Sequence, residues 1–135
     1  MADITRSQDA RSQILGAGDS YVTLATTVEQ AGTTSLATKF GVHVVCQAIP
    51  NSSPTDDIVF SLYGAHTDDE VYDTVALSAV TMDTATATGT SVHQISFALA
   101  GQLPEAIKVG AKQDGSTDTN HTVRIYVKPW DAASA

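Results

Sequence analysis

Histidine and cysteine side chains are the first residues of this chain to consider for metal binding or catalysis. The four histidines are His43, His66, His93 and His121. No two of them lie three to five residues apart, which is the spacing that paired histidines use to bind zinc. The sequence also lacks a Gly-x-Ser-x-Gly elbow, a phosphate-binding loop and a dinucleotide fingerprint. We therefore predict no metal site, no cofactor and no enzymatic activity, and we expect His43, His93 and His121 on strands at the surface or at an interface.

The densest group of carboxylates consists of Asp68, Asp69, Glu70 and Asp73. Oxygen ligands grouped in a loop could hold calcium, which prefers six to eight of them. The EF-hand order of ligands and its central glycine are missing, so a solvated acidic turn over residues 66–70 is the simpler interpretation. In a second interpretation, Asp68, Asp69 and Asp73 bind a partner, as the acidic counterpart of a basic surface.

That basic surface comes from two segments of alternating polarity near the end of the chain. Apolar residues recur at positions 107, 109 and 111 and again at positions 123, 125 and 127. This period of two predicts two strands, each with one buried face. Because an Asp114-Gly115 pair lies between them, we predict that the two strands form a hairpin.

In such a hairpin, four of the seven basic residues would share one outer face, which we call the basic stripe: Lys108, Lys112, Arg124 and Lys128. Like charges directly opposite each other are unfavourable, so we favour the register that pairs Gly110 with Arg124 and Lys108 with Tyr126. The basic stripe is either an ordinary solvated face or a surface that docks against an acidic partner.

The rest of the chain predicts further short strands. The segments that combine β-branched or alternating apolar residues are 21–28, 35–49, 58–63, 71–80 and 95–99. Residues 30–34 and 50–56 predict turns, and Gly41 either divides its strand or marks a bulge. Seven or eight strands without intervening helices predict one antiparallel β-sandwich or jelly roll over residues 20–130.

The two ends of the chain lie outside that predicted domain. Residues 1–19 are polar and of mixed charge. They predict an N-terminal arm that is either extended or contains a short helix over residues 7–15. Residues 131–135 predict a short C-terminal tail.

Composition bounds the size, compartment and partners of the protein. A chain of 135 residues suits one domain, and its net charge of −8 disfavours binding to the phosphate backbone of nucleic acids. The single cysteine, Cys46, cannot form an intrachain disulfide, and its apolar neighbours predict a buried thiol. The sequence shows neither a long apolar run nor a signal-peptide pattern. We therefore expect a protein that is made in the cytoplasm and does not enter a membrane.

Three segments together resemble small structural proteins of tailed bacteriophages. They are residues 107–127, Phe60-Ser-Leu-Tyr-Gly64 and Glu70-Val-Tyr-Asp-Thr-Val75. Among such proteins the chain is most similar to capsid decoration, or cement, proteins, through its Thr-, Ala- and Gly-rich strands, acidic charge and few aromatic residues. The resemblance implies a β-sandwich or jelly roll that binds the major capsid protein on the outside of the phage head as a homotrimer and stabilises it. It assigns no role to an individual residue.

Two other functions remain open on the same residues. One is a different phage structural subunit, in the neck, the tail or near a fibre. The other is a carbohydrate-binding sandwich that uses aromatic rings as stacking platforms. The candidate rings belong to Tyr63, Tyr72, Tyr126 and Trp130. With only 6% aromatic residues, the core is expected to be thin, and we predict that neighbouring subunits complete it.

Overall fold

The computed structural model of the protein describes residues 11–24, 27–51, 54–66, 71–84, 92–117 and 121–131. Within these residues the structure contains nine strands in two antiparallel sheets that pack face to face. Sheet A consists of β1 (Ser12–Leu15), β2 (Val22–Thr23), β4 (Gly41–Ile49), β7 (His93–Ala100) and β9 (Thr122–Trp130). Sheet B consists of β3 (Gln30–Ser35), β5 (Ile58–Ala65), β6 (Ser78–Met82) and β8 (Ala106–Gln113). The prediction of an all-β antiparallel sandwich is therefore confirmed.

The core forms where the alternating apolar residues of both sheets point inward. Strand β8 contributes Ile107, Val109 and Ala111, and strand β9 contributes Val123 and Ile125, all fully buried. Strand β5 adds Ile58, Phe60 and Leu62, strand β4 adds Val42 and Val44, and Leu24, after β2, is also fully buried. Such side chains interdigitate between two stacked sheets about 10 Å apart, so the alternation of each strand fixes which of its faces is buried.

The predicted hairpin of β8 and β9 is wrong. Strand β8 lies in sheet B between β3 and β5, and strand β9 lies in sheet A between β1 and β4. Gly110 pairs with Ala31 and Ser61, whereas Arg124 pairs with Gln47, so the predicted register does not exist. Periodicity shows which side of a strand is buried, but it cannot distinguish two strands side by side from two strands that face each other across a core.

Strand β3 is a second correction, because the sequence predicts a turn at residues 30–34. All six residues from Gln30 to Ser35 pair with β8. Gly32, which suggests a turn in the sequence, instead allows two strands to approach closely. A Cβ atom at position 32 would overlap the backbone carbonyl of Ile14 in β1, so this position admits only glycine without a backbone shift.

The other boundaries differ by a few residues from the prediction. The strand predicted over 35–49 begins at Gly41, where the ring of Trp130 occupies the space of a side chain. Of the described residues in the segment predicted over 21–28, Val22 and Thr23 form β2 and pair with β9. The strand predicted over 71–80 begins at Ser78, although Tyr72 forms an isolated bridge with Ala65. The strands at 58–63 and 95–99 are confirmed within β5 and β7.

Part of the predicted N-terminal arm belongs to the sandwich. Strand β1 pairs with β9 with an irregularity between Gln13 and Leu15, and Leu15 packs in the core. The helical alternative therefore fails for residues 12–15, because they form a strand that pairs with β9. Residues 1–10 and 132–135 lie outside the described residues, and so do Asp68, Asp69 and Glu70. In the part of the chain that is described, no helix is long and apolar enough to cross a membrane.

Candidate docking groove on the outer face of sheet A

The outer face of sheet A carries a groove of about 200 Å³. It lies across β9, β4 and β7, next to the start of β1. Its lining consists of Arg11, His43, Val45, Gln47, Gln94, Tyr126 and Lys128. Two of these side chains, Arg11 and Lys128, are cationic, and none of the seven described lining residues is acidic. We call this feature the basic groove.

Tyr126 forms the floor of the basic groove. It lies opposite Gln13 of β1 and Val45 of β4, and only 2% of its surface is exposed. The guanidinium group of Arg11 lies 4.1 Å from the centroid of its ring, and that of Arg124 lies 5.2 Å away. Cations over an aromatic face are attracted by the ring quadrupole, so the ring holds both arginines near the sheet.

A tight loop over residues 16–20 fixes these groups from one side. Gly16, Gly18 and Asp19 all have positive φ values, and Gln13 ties the loop together. Its side-chain oxygen accepts the backbone N–H of Asp19 at 2.8 Å, and its nitrogen donates to the Ser20 carbonyl at 2.8 Å. These bonds place the Asp19 carboxylate above Tyr126.

Asp19 links the loop to both arginines. Its carboxylate accepts a short hydrogen bond from the Tyr126 hydroxyl and pairs with Arg11 at 3.5 Å. Its backbone carbonyl accepts a hydrogen bond from Arg124 Nη1 at 2.6 Å. The Tyr126 hydrogen bond, with help from Arg11 and Arg124, lowers the pKa of Asp19 below its usual value. Burial, followed by the hydrogen bond to Asp19, raises the pKa of Tyr126.

A row of side chains continues across the sheet from Arg124. Arg124 Nε donates to Gln47 Oε1 at 2.7 Å, and Gln47 Nε2 donates to Gln94 Oε1 at 2.7 Å. The guanidinium group of Arg124 also lies 4.4 Å from the centroid of the Tyr21 ring. The row therefore spans β9, β4 and β7 and holds the polar side chains at that end of the groove in defined positions.

The other end of the basic groove is less constrained. Lys128 and His43 face each other on β9 and β4. Neither side chain has a hydrogen bond or ion pair with any of the described residues. The ammonium group of Lys128 thus keeps its hydrogen-bond donors available for a group outside the chain.

The structure divides the predicted basic stripe between two opposite surfaces. Arg124 and Lys128 lie on the outer face of sheet A, Lys128 in the basic groove and Arg124 beside it, whereas Lys108 and Lys112 lie on the outer face of sheet B. The cause is the wrong hairpin, since β8 and β9 present their outer faces in opposite directions. The sequence prediction of a single face with four basic residues is therefore wrong.

On sheet B, aromatic rings surround Lys108. Its ammonium group lies 4.6 Å from the centroid of the Tyr63 ring and 5.5 Å from that of Tyr72. The Tyr63 hydroxyl donates to Glu29 Oε2 at 3.1 Å. Burial, followed by this bond to Glu29, raises the pKa of Tyr63. Lys108 therefore interacts mainly with groups of its own chain.

The acidic residues predicted to bind a partner are only partly described. Asp68 and Asp69 lie outside the described residues. Asp73 lies near the end of β5, where its carboxylate is 2.8 Å from His66 Nε2. Its backbone N–H donates to the Gly64 carbonyl. Within the described residues, no group of three or more His, Cys, Asp or Glu side chains could hold a metal ion.

Sequence reasoning missed Arg11 and Asp19, which organise the basic groove, and it named Tyr126 only as a candidate sugar-stacking ring and as the predicted neighbour of Lys108. It assigned Arg11 and Asp19 to an arm outside the domain. One signal was present in the sequence: two glycines closely followed by an aspartate, at positions 16, 18 and 19, are typical of a tight turn that positions a carboxylate.

Two further expectations concern buried side chains. Cys46 is fully buried, as predicted, and burial raises the pKa of its thiol to about 12. His121 is also fully buried, so the expectation of a surface or interface position is wrong for this histidine. Its Nδ1 accepts the Asn51 N–H at 3.0 Å, and its Nε2 donates to the Asp56 carbonyl at 2.9 Å. It fastens the 50–56 loop to the start of β9.

Comparison with known proteins gives similarity at the level of fold. No protein-family model matches the sequence, and neither does any curated protein. A CBM4 carbohydrate-binding module is 10% identical over 88% of this chain and 77% of its own, with a TM-score of 0.49. The CBM22-1 xylan-binding domain from a Paenibacillus barcinonensis enzyme is 12% identical over 91% of this chain and 87% of its own, with a TM-score of 0.43.

A viral structure shows a similar degree of likeness. A structure of Desmodium yellow mottle tymovirus is 9% identical over the whole of this chain and 94% of its own, with a TM-score of 0.40. Because all three TM-scores lie below 0.5, we infer no function from these proteins. The β-sandwich fold therefore rests on the strands and registers described above.

Proposed function

We propose that this protein is a non-enzymatic structural subunit of a phage virion that attaches to the outside of the head through the basic groove of sheet A. The major capsid protein is the proposed partner, and the role is that of a decoration, or cement, protein. The resemblance of the sequence to such proteins supports the class. The basic groove supports the mode of attachment.

The single observation that carries the mode of attachment is the charge of the groove. The chain as a whole carries a net charge of −8, yet the described lining of the groove includes Arg11, His43 and Lys128 and no acidic residue. Asp19, beside the groove, pairs with Arg11, so Lys128 is the cation of the groove that has no ion pair among the described residues. A local positive surface on an anionic protein attracts an acidic partner and orients it during approach. The same net charge opposes the long phosphate backbone of a nucleic acid, so an acidic protein surface is the better partner.

The groove is also organised before a partner binds. Tyr126, Asp19 and Gln47 hold the two arginines through the hydrogen bonds and ring contacts described above. A partner that meets fixed side chains loses less conformational entropy on binding than one that meets mobile side chains. Many copies on a shell would add multivalency, so that a modest affinity at each site suffices for stable attachment.

Carbohydrate binding is the second candidate, favoured by the amide side chains of Gln47 and Gln94 in the groove. The arrangement of the aromatic rings weakens it. Tyr63 and Tyr72 lie on sheet B beside Lys108, whereas Tyr126 and Trp130 lie on sheet A. Tyr126 is almost fully buried beneath Arg11, and the Trp130 ring packs over Gly41. These rings therefore offer little free surface on which a sugar could stack.

Cosedimentation with empty heads tests the proposal. The wild-type protein should pellet with heads of the phage that encodes it and should be released as salt increases. The double variant Arg11→Ser, Lys128→Ser should bind about tenfold more weakly, because it removes two charges from the groove. Lys112→Ser, on the opposite face, is the control and should bind like the wild type.

A glycan array with the same three proteins separates the two candidates. Binding to heads without any glycan signal supports virion attachment. A glycan signal that disappears in the groove variant, without binding to heads, would replace the proposal by carbohydrate binding. If the groove variant bound heads as well as the wild type does, the groove would not be the attachment surface.

A further inference from the structure

The two lateral sides of the sandwich end differently. On one side, the edge strands β1 and β3 approach each other, and the carbonyl of Ile14 lies directly over Gly32. Strand β1 is short and irregular between Gln13 and Leu15, and Arg11 precedes it. Short, irregular and charged edges are the usual protection against pairing with another chain. This side is closed.

The other side ends in β6 and β7, which make no comparable contact within the described residues. Three apolar side chains of β7 point toward the core but remain only half-buried, namely Ile95, Phe97 and Leu99. Val92, immediately before this strand, is 50% exposed. The core is therefore incompletely covered along this side, which we call the open side.

Within the part of the chain that the structure describes, strand β7 also lacks the usual protection of an edge. It pairs with β4 over its full eight residues, and none of the described residues pairs with its outer edge. Its sequence, His-Gln-Ile-Ser-Phe-Ala-Leu-Ala, contains no proline and no Asp, Glu, Lys or Arg. A long, regular strand of this kind presents unpaired N–H and C=O groups that favour the addition of another strand.

We infer that the open side binds a second copy of the same chain, with β7 pairing antiparallel to β7 of that copy. Antiparallel pairing about a two-fold axis puts identical surfaces together, so the strand must complement itself. With Phe97 opposite the partner's Phe97, Ile95 lies opposite the partner's Leu99 and Ser96 lies opposite the partner's Ala98. The apolar inward residues Ile95, Phe97 and Leu99 then meet apolar ones, and on the outward face Ser96 meets Ala98 and Gln94 meets Ala100, so no charged side chain enters the pairing.

Charge and size both favour a second copy as the occupant. Two chains of net charge −8 repel each other, so they associate best through a surface without charged residues. Eight residues of strand span about 27 Å, and two sheets with their side chains are roughly 20 Å thick, which gives on the order of 1,000 Å² buried in total. That area reaches the lower limit of roughly 1,000 Å² for a specific interface.

This inference does not depend on the proposed attachment to a phage head. The dimer is an alternative to the homotrimer that the sequence resemblance implies. When two copies pair through β7, the open side of each copy is fully covered and cannot bind a third copy. A further competitor is the chain's own segment of residues 1–10, which would cover the same edge within a monomer. The molecular mass in solution distinguishes the three.

Light scattering of the full chain at tens of micromolar provides the first measurement. A mass of two chains supports the inference, and a mass of one or three chains overturns it. Ser96→Lys places a charge on the exposed face of β7 and should weaken dimerisation at least about tenfold, since the added cations approach each other across the two-fold axis. Ala31→Lys, on strand β3 of the closed side, is the control and should leave the dimer intact.

Cysteine cross-linking provides a test of the register that does not depend on the effect of an added charge. Ser96→Cys and Ala98→Cys are prepared as separate proteins and oxidised alone and as a mixture. The native Cys46 should not form cross-links, because its thiol is fully buried and burial raises its pKa to about 12. A cross-linked dimer that forms efficiently only in the mixture supports the pairing of Ser96 with the partner's Ala98. Absence of a mixed dimer, or equal cross-linking in all three samples, overturns the register.

Discussion

On the outer face of sheet B, Lys108 lies over the rings of Tyr63 and Tyr72, whereas on the outer face of sheet A Lys128 lies in a groove without a partner among the described residues. Both faces carry basic residues and tyrosines. On sheet B these groups interact mostly with each other and with Glu29. On sheet A, Tyr126, Asp19 and Gln47 form a rigid frame that holds Arg11 and Arg124. Lys128 lies outside this frame and remains available to a partner. Whether a face can bind an acidic partner therefore depends less on how many cations it carries than on which of these cations have no partner within the described residues.

The largest expected difference between the faces concerns their central tyrosines. Tyr126→Ala should lower the free energy of unfolding by about 3 kcal/mol, because it removes an almost fully buried ring that supports both arginines. Tyr63→Ala should cost about 1–2 kcal/mol, since the Tyr63 ring is only half-buried. Urea unfolding of both variants measures the two values. Equal losses would contradict the view that sheet A carries the more rigid frame.

A smaller difference is expected between the two central cations. Arg124→Ala removes hydrogen bonds to Gln47 and Asp19 and should cost about 1–2 kcal/mol of the unfolding free energy. Lys108→Ala removes ring contacts at a partly exposed position and should cost about 0.5–1 kcal/mol. The same urea method measures both losses of unfolding free energy. A greater loss for Lys108→Ala than for Arg124→Ala would mean that the cation on sheet B is held more firmly than the one on sheet A.

The smallest effect is a pH dependence confined to sheet A. The Tyr126 hydrogen bond, together with Arg11 and Arg124, lowers the pKa of Asp19, so the folded protein binds this proton more weakly than the unfolded chain does. The resulting stabilisation is present above about pH 4, the ordinary range of an aspartate, and is lost as the pH falls through the lower folded value. Asp19→Asn should therefore flatten the acid side of the stability profile.

Thermal melting between neutral and acid pH, with the wild type beside Asp19→Asn, measures this effect. The wild type should lose slightly more melting temperature than the variant on acidification. If the melting temperature fell equally with pH in both proteins, the contacts of the Asp19 carboxylate would contribute nothing to the stability of the fold. Glu29→Gln, on the opposite face, is the matched control for the loss of one carboxylate.

The sequence predicts the class of fold but not the arrangement of the strands. The alternation at 107–111 and 123–127 correctly identifies two half-buried strands, because burial of one face requires it. It does not identify their neighbours, since strand pairing depends on contacts between residues far apart in the chain. The hydrogen-bonded partners of β9 are β1, β2 and β4, which all lie more than seventy residues away.

The same limit explains what was missed in the candidate site. Two members of the basic stripe, Arg124 and Lys128, remain together because they belong to one strand and point to one side. Arg11 and Asp19 join them only because β1 pairs with β9, across more than a hundred residues. A local pattern can group residues within one strand, but it cannot reveal which distant strand completes the site.

Association with empty heads after matched charge reversals tests the central claim most directly. Arg11→Glu with Lys128→Glu reverses two charges in the basic groove, and Lys108→Glu with Lys112→Glu reverses two on sheet B, so both double variants have the same net charge. At low salt the groove variant should associate at least about tenfold more slowly than the wild type and lose most of its salt dependence, while the sheet B variant stays within about twofold. Equal slowing of both variants would mean that only net charge matters, and it would contradict a docking role for the groove.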